Sequence, residues 1–117
     1  MPKPTEYMYT EPVSLYPDIG RSGAYHDTGP IPPGAIIKAV ELKVKKTFVA
    51  GSRLLVGTST DEDALLPAGV LDLTGPRNKT QNVSMSVTWN GGSVRFTLYD
   101  TTGLEGQATV QVAYKLP

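Results

Sequence analysis

Cysteine is missing from this chain of 117 residues. Disulfides, thiolate metal sites and thiol nucleophiles are thereby excluded. An excess of one charge is missing as well: 11 Lys and Arg balance 11 Asp and Glu. A general nucleic-acid coat would be more basic, so no nucleic-acid partner is expected. Nowhere do about 18 apolar residues run together, so no membrane-spanning helix and no membrane partner are expected. Behind Met1-Pro2-Lys3-Pro4 no apolar run follows, and no secretory signal is expected. No repeat of fixed period is visible. Histidine occurs once. His26-Asp27 is therefore the one His–carboxylate neighbour pair, and adjacent strand residues point to opposite faces. Without a placed Ser and an oxyanion hole, no catalytic residue is assigned and no enzyme is expected.

What the chain does have is glycine and proline, 12 and 10 of them, set at short intervals. Many short strands joined by turns is the natural reading. The run Val83-Ser84-Met85-Ser86-Val87-Thr88-Trp89 alternates apolar with polar. Asn90-Gly91-Gly92 follows, and Ser93 to Asp100 alternates again. This predicts a β-hairpin whose turn needs positive φ. The longest strand is predicted over 36–48, with Ile36, Val40, Leu42, Val44 and Phe48 on one even-numbered face. Lys38 and Lys46 would lay their stems along the core edge. A final strand over 107–114 puts Ala108, Val110, Val112 and Tyr114 on one face. Shorter strands are expected around Ala24–His26, at 53–57 and at Val70–Leu73. Gly29-Pro30-Ile31-Pro32-Pro33-Gly34 reads as a rigid corner. Thr58 to Pro67 is the one helix candidate, a hydroxyl cap followed by three acids.

The fold class that follows is all-β: an antiparallel β-sandwich, jelly-roll-like, of about seven or eight strands. The Cys…Trp…Cys hallmark of immunoglobulin domains is missing. Residues 1–20 differ from the rest, with four prolines and three tyrosines. They read as an extended Pro- and Tyr-rich arm before a single sandwich domain of residues 21–117. Tyr7, Tyr9, Leu15 and Tyr16 are its candidate anchors, packing on their own sandwich or on a neighbour's.

Asp61-Glu62-Asp63, with Asp72 nearby, could hold calcium, but the D-x-D-x-D-G spacing is missing. A helix start explains the three acids more simply, and no metal or other cofactor is assigned. Lys38, Lys43, Lys45, Lys46 and Arg53 place five basic residues within 16 positions. A solvated outer face is the plainer reading, with Lys43 and Lys45 the candidates for a protein partner. Trp89 lies in register with Val83, Met85 and Val87, so core packing is expected of it rather than ligand contact.

Two motifs carry a resemblance. Residues 29–44 read G-x-I-P-x-G-A-x-I-x-x-V-x-L-x-V, and residues 56–64 read V-G-T-S-x-D-x-D-A. The pair resembles small virion β-sandwich proteins of tailed bacteriophages, either head decoration (cement) proteins or tail-fibre-associated modules. The likeness covers roughly residues 28–73. It implies a non-enzymatic structural protein that stabilises the head by binding between capsid subunits. Its partners would be the major capsid protein and further copies of itself, with a trimer expected. It would sit on the capsid exterior of the virion after assembly in the bacterial cytoplasm. The alternative is a tail-fibre or baseplate module that binds a cell-surface glycan through Trp89, Tyr99 and the Lys43/Lys45 face.

Overall fold

Alternation of apolar and polar residues becomes strand along most of the chain. The computed structural model describes residues 7–17, 24–75, 77–78, 80–99 and 106–116. Eight strands lie within them: β1 (Met8–Tyr9), β2 (Val13–Leu15), β3 (Ala24–Asp27), β4 (Ile36–Lys46), β5 (Arg53–Gly57), β6 (Thr80–Thr88), β7 (Arg95–Tyr99) and β8 (Gln107–Lys115). They form two antiparallel sheets in a sandwich-like arrangement, with no helix among the described residues. The first sheet runs β1-β8-β4-β6, with β2 also on β8. The second runs β3-β7-β5. From β2 onward every consecutive strand lies in the other sheet.

β1 and β2 lie end to end along β8, Tyr9 opposite Ala113 and Val13 opposite Val110. One side advances four residues (9 to 13) and the other three (113 to 110), so an extra residue is taken up at Pro12. Thr10 bridges the break. Its N–H donates to the Val112 carbonyl at 3.0 Å, and its Oγ1 accepts from the Val112 N–H at 3.0 Å. The described part of the N-terminal segment is thus an edge of the first sheet.

The core lies between the sheets. Val40, Leu42, Val44, Val110 and Val112 of the first sheet face Leu54, Val56, Phe96 and Leu98 of the second, all fully buried. β4 departs from a single even-numbered face. Its register shifts between Ile37 and Ala39, so Ile37 is buried before the bulge while Val40, Leu42 and Val44 are buried after it. One extra residue flips the alternation, and a strict period of two cannot anticipate it.

The predicted hairpin over 83–100 does not form. β6 pairs with β4, and β7 pairs with β3 and β5. Asn90-Gly91-Gly92 does turn, with φ of 97° at Gly91 and 88° at Gly92. Its hydrogen bonds, however, go to the proline corner. The Trp89 N–H donates to the Ala35 carbonyl at 2.7 Å, the Gly34 N–H to the Trp89 carbonyl at 2.7 Å, and the Ile31 N–H to the Gly92 carbonyl at 3.0 Å. The corner captures the turn, and the chain crosses from one sheet to the other.

The helix predicted over 58–67 is also replaced. Its cap is present, since Thr58 Oγ1 accepts the Asp61 N–H at 2.9 Å. The chain then folds back instead of coiling. The Val56 N–H donates to the Leu66 carbonyl at 3.0 Å, and Leu65 donates to the Val56 carbonyl at 2.9 Å. Pro67 leaves too few residues for a helix to repay its nucleation, and pairing on β5 wins. The segment Val70–Leu73 is a set of turns rather than a strand. Leu71 and Leu73 are nonetheless buried in the core.

Gly57 ends β5 beneath this fold-back. A Cβ there would overlap backbone atoms of Asp61, Glu62 and Ala64, none of which can swing aside as a side-chain tip could. Gly57→Ala is expected to destabilise by about 1–3 kcal/mol, the range for overpacking. Gly29→Ala, which meets nothing within 4 Å, should stay within about 1 kcal/mol of the parent. Urea unfolding of the two variants measures the contrast.

Candidate interaction surface

Period-two geometry divides the N-terminal edge between two tasks. Leu15 opposite Ala108 points inward and is fully buried. Of the two settings open to the arm's side chains, its own sandwich or a neighbour's, Leu15 takes the first and packs in its own core. Tyr7, Met8, Tyr9 and Tyr16 are exposed, Tyr9 to 52% and Tyr16 to 55%. Such exposure is high for aromatic rings with no polar task inside the fold. Leu116, just past the end of β8, adds a further exposed apolar side chain near β1. Tyr16 lies beyond β2, its ring centroid 5.3 Å from that of His26. Tyr7 and Tyr9 mark one end of the edge and Tyr16 the other.

Residues directly opposite one another share a face. The pairings Tyr9–Ala113–Ala39, Gln111–Glu41–Asn82 and Thr109–Lys43–Thr80 therefore form three rungs on the outer side of the first sheet. Lys43 and Lys45 are exposed. At the centre, Glu41 accepts from Gln111 Nε2 at 2.7 Å and from Asn82 Nδ2 at 2.9 Å. Pro12 of the arm borders the same shallow depression as Glu41, Lys43, Thr80 and Thr109. The register thus brings Tyr9, Lys43 and the arm to one surface. Alternation within β4 and β8 points to these faces but does not reveal the amide clamp on Glu41, whose members lie 41 and 70 residues apart in sequence.

The outer side of the second sheet is organised by two arginines. Arg95 donates from Nε to Asp27 Oδ1 at 2.8 Å and from a terminal nitrogen to Oδ2 at 3.1 Å. The same guanidinium lies 3.6 Å from the centroid of the Tyr25 ring. Arg53 lies 5.3 Å from the Tyr99 ring centroid. Asp27 is held by Arg95 while its neighbour His26 contacts Tyr16, so this pair does not come together. These couplings span the β3–β7 and β5–β7 ladders and have no local sequence signal.

The acidic run is engaged within the fold, Asp61 with Asp63 and Glu62 with β7. Glu62 Oε2 accepts a short hydrogen bond from the Tyr99 hydroxyl, and Asp72 Oδ1 accepts from the Thr74 N–H at 2.9 Å. Asp61 is held above the ordinary carboxylate range, chiefly by a hydrogen bond with Asp63. Among the described residues no three His, Asp or Glu side chains converge as metal ligands. Trp89 is 6% exposed and donates from Nε1 to the Gly92 carbonyl at 3.0 Å. It locks the crossover and presents no ring to a ligand.

No protein-family model and no curated protein matches the chain. Solved structures do. A chain of the cyanophage Pam1 capsid asymmetric unit is similar with a TM-score of 0.65 at 21% identity, over 96% of this chain and 84% of that one. A chain of the acid-stable capsid of Helicobacter pylori bacteriophage KHP30 is similar with a TM-score of 0.61 at 17% identity, over 95% and 88%. A chain of the capsid of Ralstonia phage GP4 follows at 0.57 and 11%, over 100% and 89%. At these identities the likeness is one of fold.

The Tyr99 phenol carries a checkable consequence. Its hydrogen bond to Glu62, with some desolvation and the Glu62 charge, holds its pKa above the ordinary tyrosine value, against a smaller opposing pull from Arg53. A pKa raised by folding gives stability that is fully present below the unfolded value, about 10, and is lost as pH rises through the folded one. Ultraviolet titration against Tyr99→Phe should show this phenol ionising later than free tyrosine. Glu62→Gln should bring it back toward the ordinary range.

Proposed function

We propose that this chain is a non-enzymatic structural protein of a bacteriophage head, a decoration or cement protein that binds between capsid subunits. The observation that carries the reading is the similarity of nearly its whole length to chains of three phage capsid structures. The strand order supports a jelly roll as the scaffold. β2-β8-β4-β6 faces β3-β7-β5, and the strand that would flank β5 is shortened to the Val56–Leu66 bridge. Among the described residues this body offers open surfaces, such as the depression beside Glu41 and Lys43.

In this reading residues 1–20 are the binding arm and 21–117 the sandwich that carries it. Val13 and Leu15 secure the arm to its own sheet, and Tyr7, Tyr9 and Tyr16 reach the major capsid protein or the next copy in a trimer. Exposed aromatic rings on a fixed strand lose little side-chain entropy on docking, which suits them as anchors. Lys43 and Lys45 steer the outer face of the first sheet toward an acidic surface. The protein would then sit on the exterior of the virion. The glycan-binding alternative loses its leading contact, because Trp89 lies in the core.

Co-sedimentation with purified phage heads tests the proposal. The triple variant Tyr7→Ser, Tyr9→Ser, Tyr16→Ser should fold as the parent does while its affinity for heads falls at least about 30-fold, the effect of losing one strong anchor. Unchanged binding would remove the tyrosines from the contact. A parent protein that ignores heads altogether would remove the function.

A further inference from the structure

β6 is the exposed edge of the first sheet, paired on one side only among the described residues. Its nine residues, Thr80 to Thr88, contain no charge and no proline. The other three sheet edges are guarded. The β1–β2 edge is broken at Pro12 and carries Glu11. β3 is four residues long and ends on Asp27. β5 begins with Arg53, and Leu66 bridges Val56. Natural sheets blunt an edge with charge, proline, a bulge or a cover wherever pairing must be prevented. β6 has no charge, no proline and no covering strand, and its one irregularity is the register shift against β4 at Met85–Ser86, two residues opposite Lys38.

We infer that β6 is a docking edge for β6 of a second copy, in an antiparallel pair about a twofold axis at Met85. Three observations select this occupant. First, the strand is self-matching about that point. Val83 falls opposite Val87, Ser84 opposite Ser86, Asn82 opposite Thr88 and Met85 opposite itself. The numbers in each pair have an even sum, so inner residues meet inner residues and hydroxyls meet hydroxyls. Second, a twofold self-pairing brings any charge near the axis close to its own copy, and this strand carries none. Third, the inner side of β6 is only partly covered. Val83 and Met85 are only half-buried and Val87 is 36% exposed, because the second sheet has no strand beyond β5 to reach under them. A second copy supplies that cover along with the missing backbone hydrogen bonds.

This contact uses the edge opposite the tyrosine arm and is independent of attachment to heads. A trimer formed through the arm would be joined to others through β6, giving an even number of copies.

The missing cysteine makes the test clean. Met85→Cys in the full chain should form a disulfide-linked dimer on mild oxidation, because directly opposed strand residues lie within disulfide reach. Ser14→Cys, on the other edge, should not. Sedimentation equilibrium of the parent should show association into an even number of copies. Ser86→Lys should weaken it at least about ten-fold, with circular dichroism and melting unchanged. The inference is overturned if Met85→Cys cross-links no better than Ser14→Cys, if the parent stays monomeric or purely trimeric at high micromolar concentration, or if folded Ser86→Lys associates as the parent does.

Discussion

A sheet four strands wide faces a sheet of three, and this mismatch in width governs the rest of the molecule. Apolar surface left in water costs about 25 cal/mol for each Å², so the uncovered strip of the wider sheet must find other cover. Much of it is supplied by the irregular segment between β5 and β6. Leu66, Leu71 and Leu73 from that segment are buried as deeply as strand residues. Backbone hydrogen bonds hold the segment in place: the Phe48 N–H donates to the Leu73 carbonyl at 3.2 Å, and the Asn78 N–H to the Val44 carbonyl at 2.7 Å. The segment reaches β6 at Gln81, whose side-chain amide is held by the Asp72 backbone, but Val83, Met85 and Val87 beyond it stay only partly covered.

The same mismatch explains what could and could not be read from the residues. β4 and β8 are legible because they are central in the wider sheet, with one face on the core and one outward, and alternation is the direct trace of that setting. The run from 83 to 99 misleads for an instructive reason. Two alternating arms around Asn90-Gly91-Gly92 satisfy every local rule for a hairpin. The decision lies 54 to 61 residues away, in the carbonyls and amides of Ile31, Gly34 and Ala35, which compete for the turn. Local chemistry specifies that the chain bends, and only the distant partner specifies into which sheet it goes. The acidic stretch after Thr58 fails as a helix in the same way, since its cap is real but Leu66 finds Val56 first.

The candidate surface was partly legible. Exposed tyrosines in a proline-rich segment and lysines at odd positions of β4 announce themselves by residue type and spacing. Their assembly on one face depends on Tyr9 meeting Ala113 across a ladder that no local pattern encodes. The charged residues of the second sheet are hidden more deeply. Arg95 and Asp27 are 68 positions apart and become partners only because β7 lies beside β3. Their pairing occupies two of the charges on that sheet's outer side, and Arg53 lies against the Tyr99 ring, whereas Lys43 and Lys45 project from the first sheet. The two faces are therefore not equivalent, and the adhesive character proposed for the protein belongs to the wider sheet.

Strand geometry also couples that adhesion to folding. Along the N-terminal edge, successive side chains alternate between the core and the outside, so one short segment both closes the sandwich and carries the tyrosines. Leu15 is fully buried while Tyr16, its neighbour, is more than half exposed. Pulling this edge away from β8 would strip cover from the core together with the outward rings. A segment that swings free to find a partner would leave β8 unpaired on that side, exposing backbone groups that the fold otherwise satisfies. Contact through this edge is therefore favoured with the strand already in place. It presents its rings without paying again for the ordering of the chain, and the strength of the contact depends on how firmly Val13 and Leu15 hold the strand to β8.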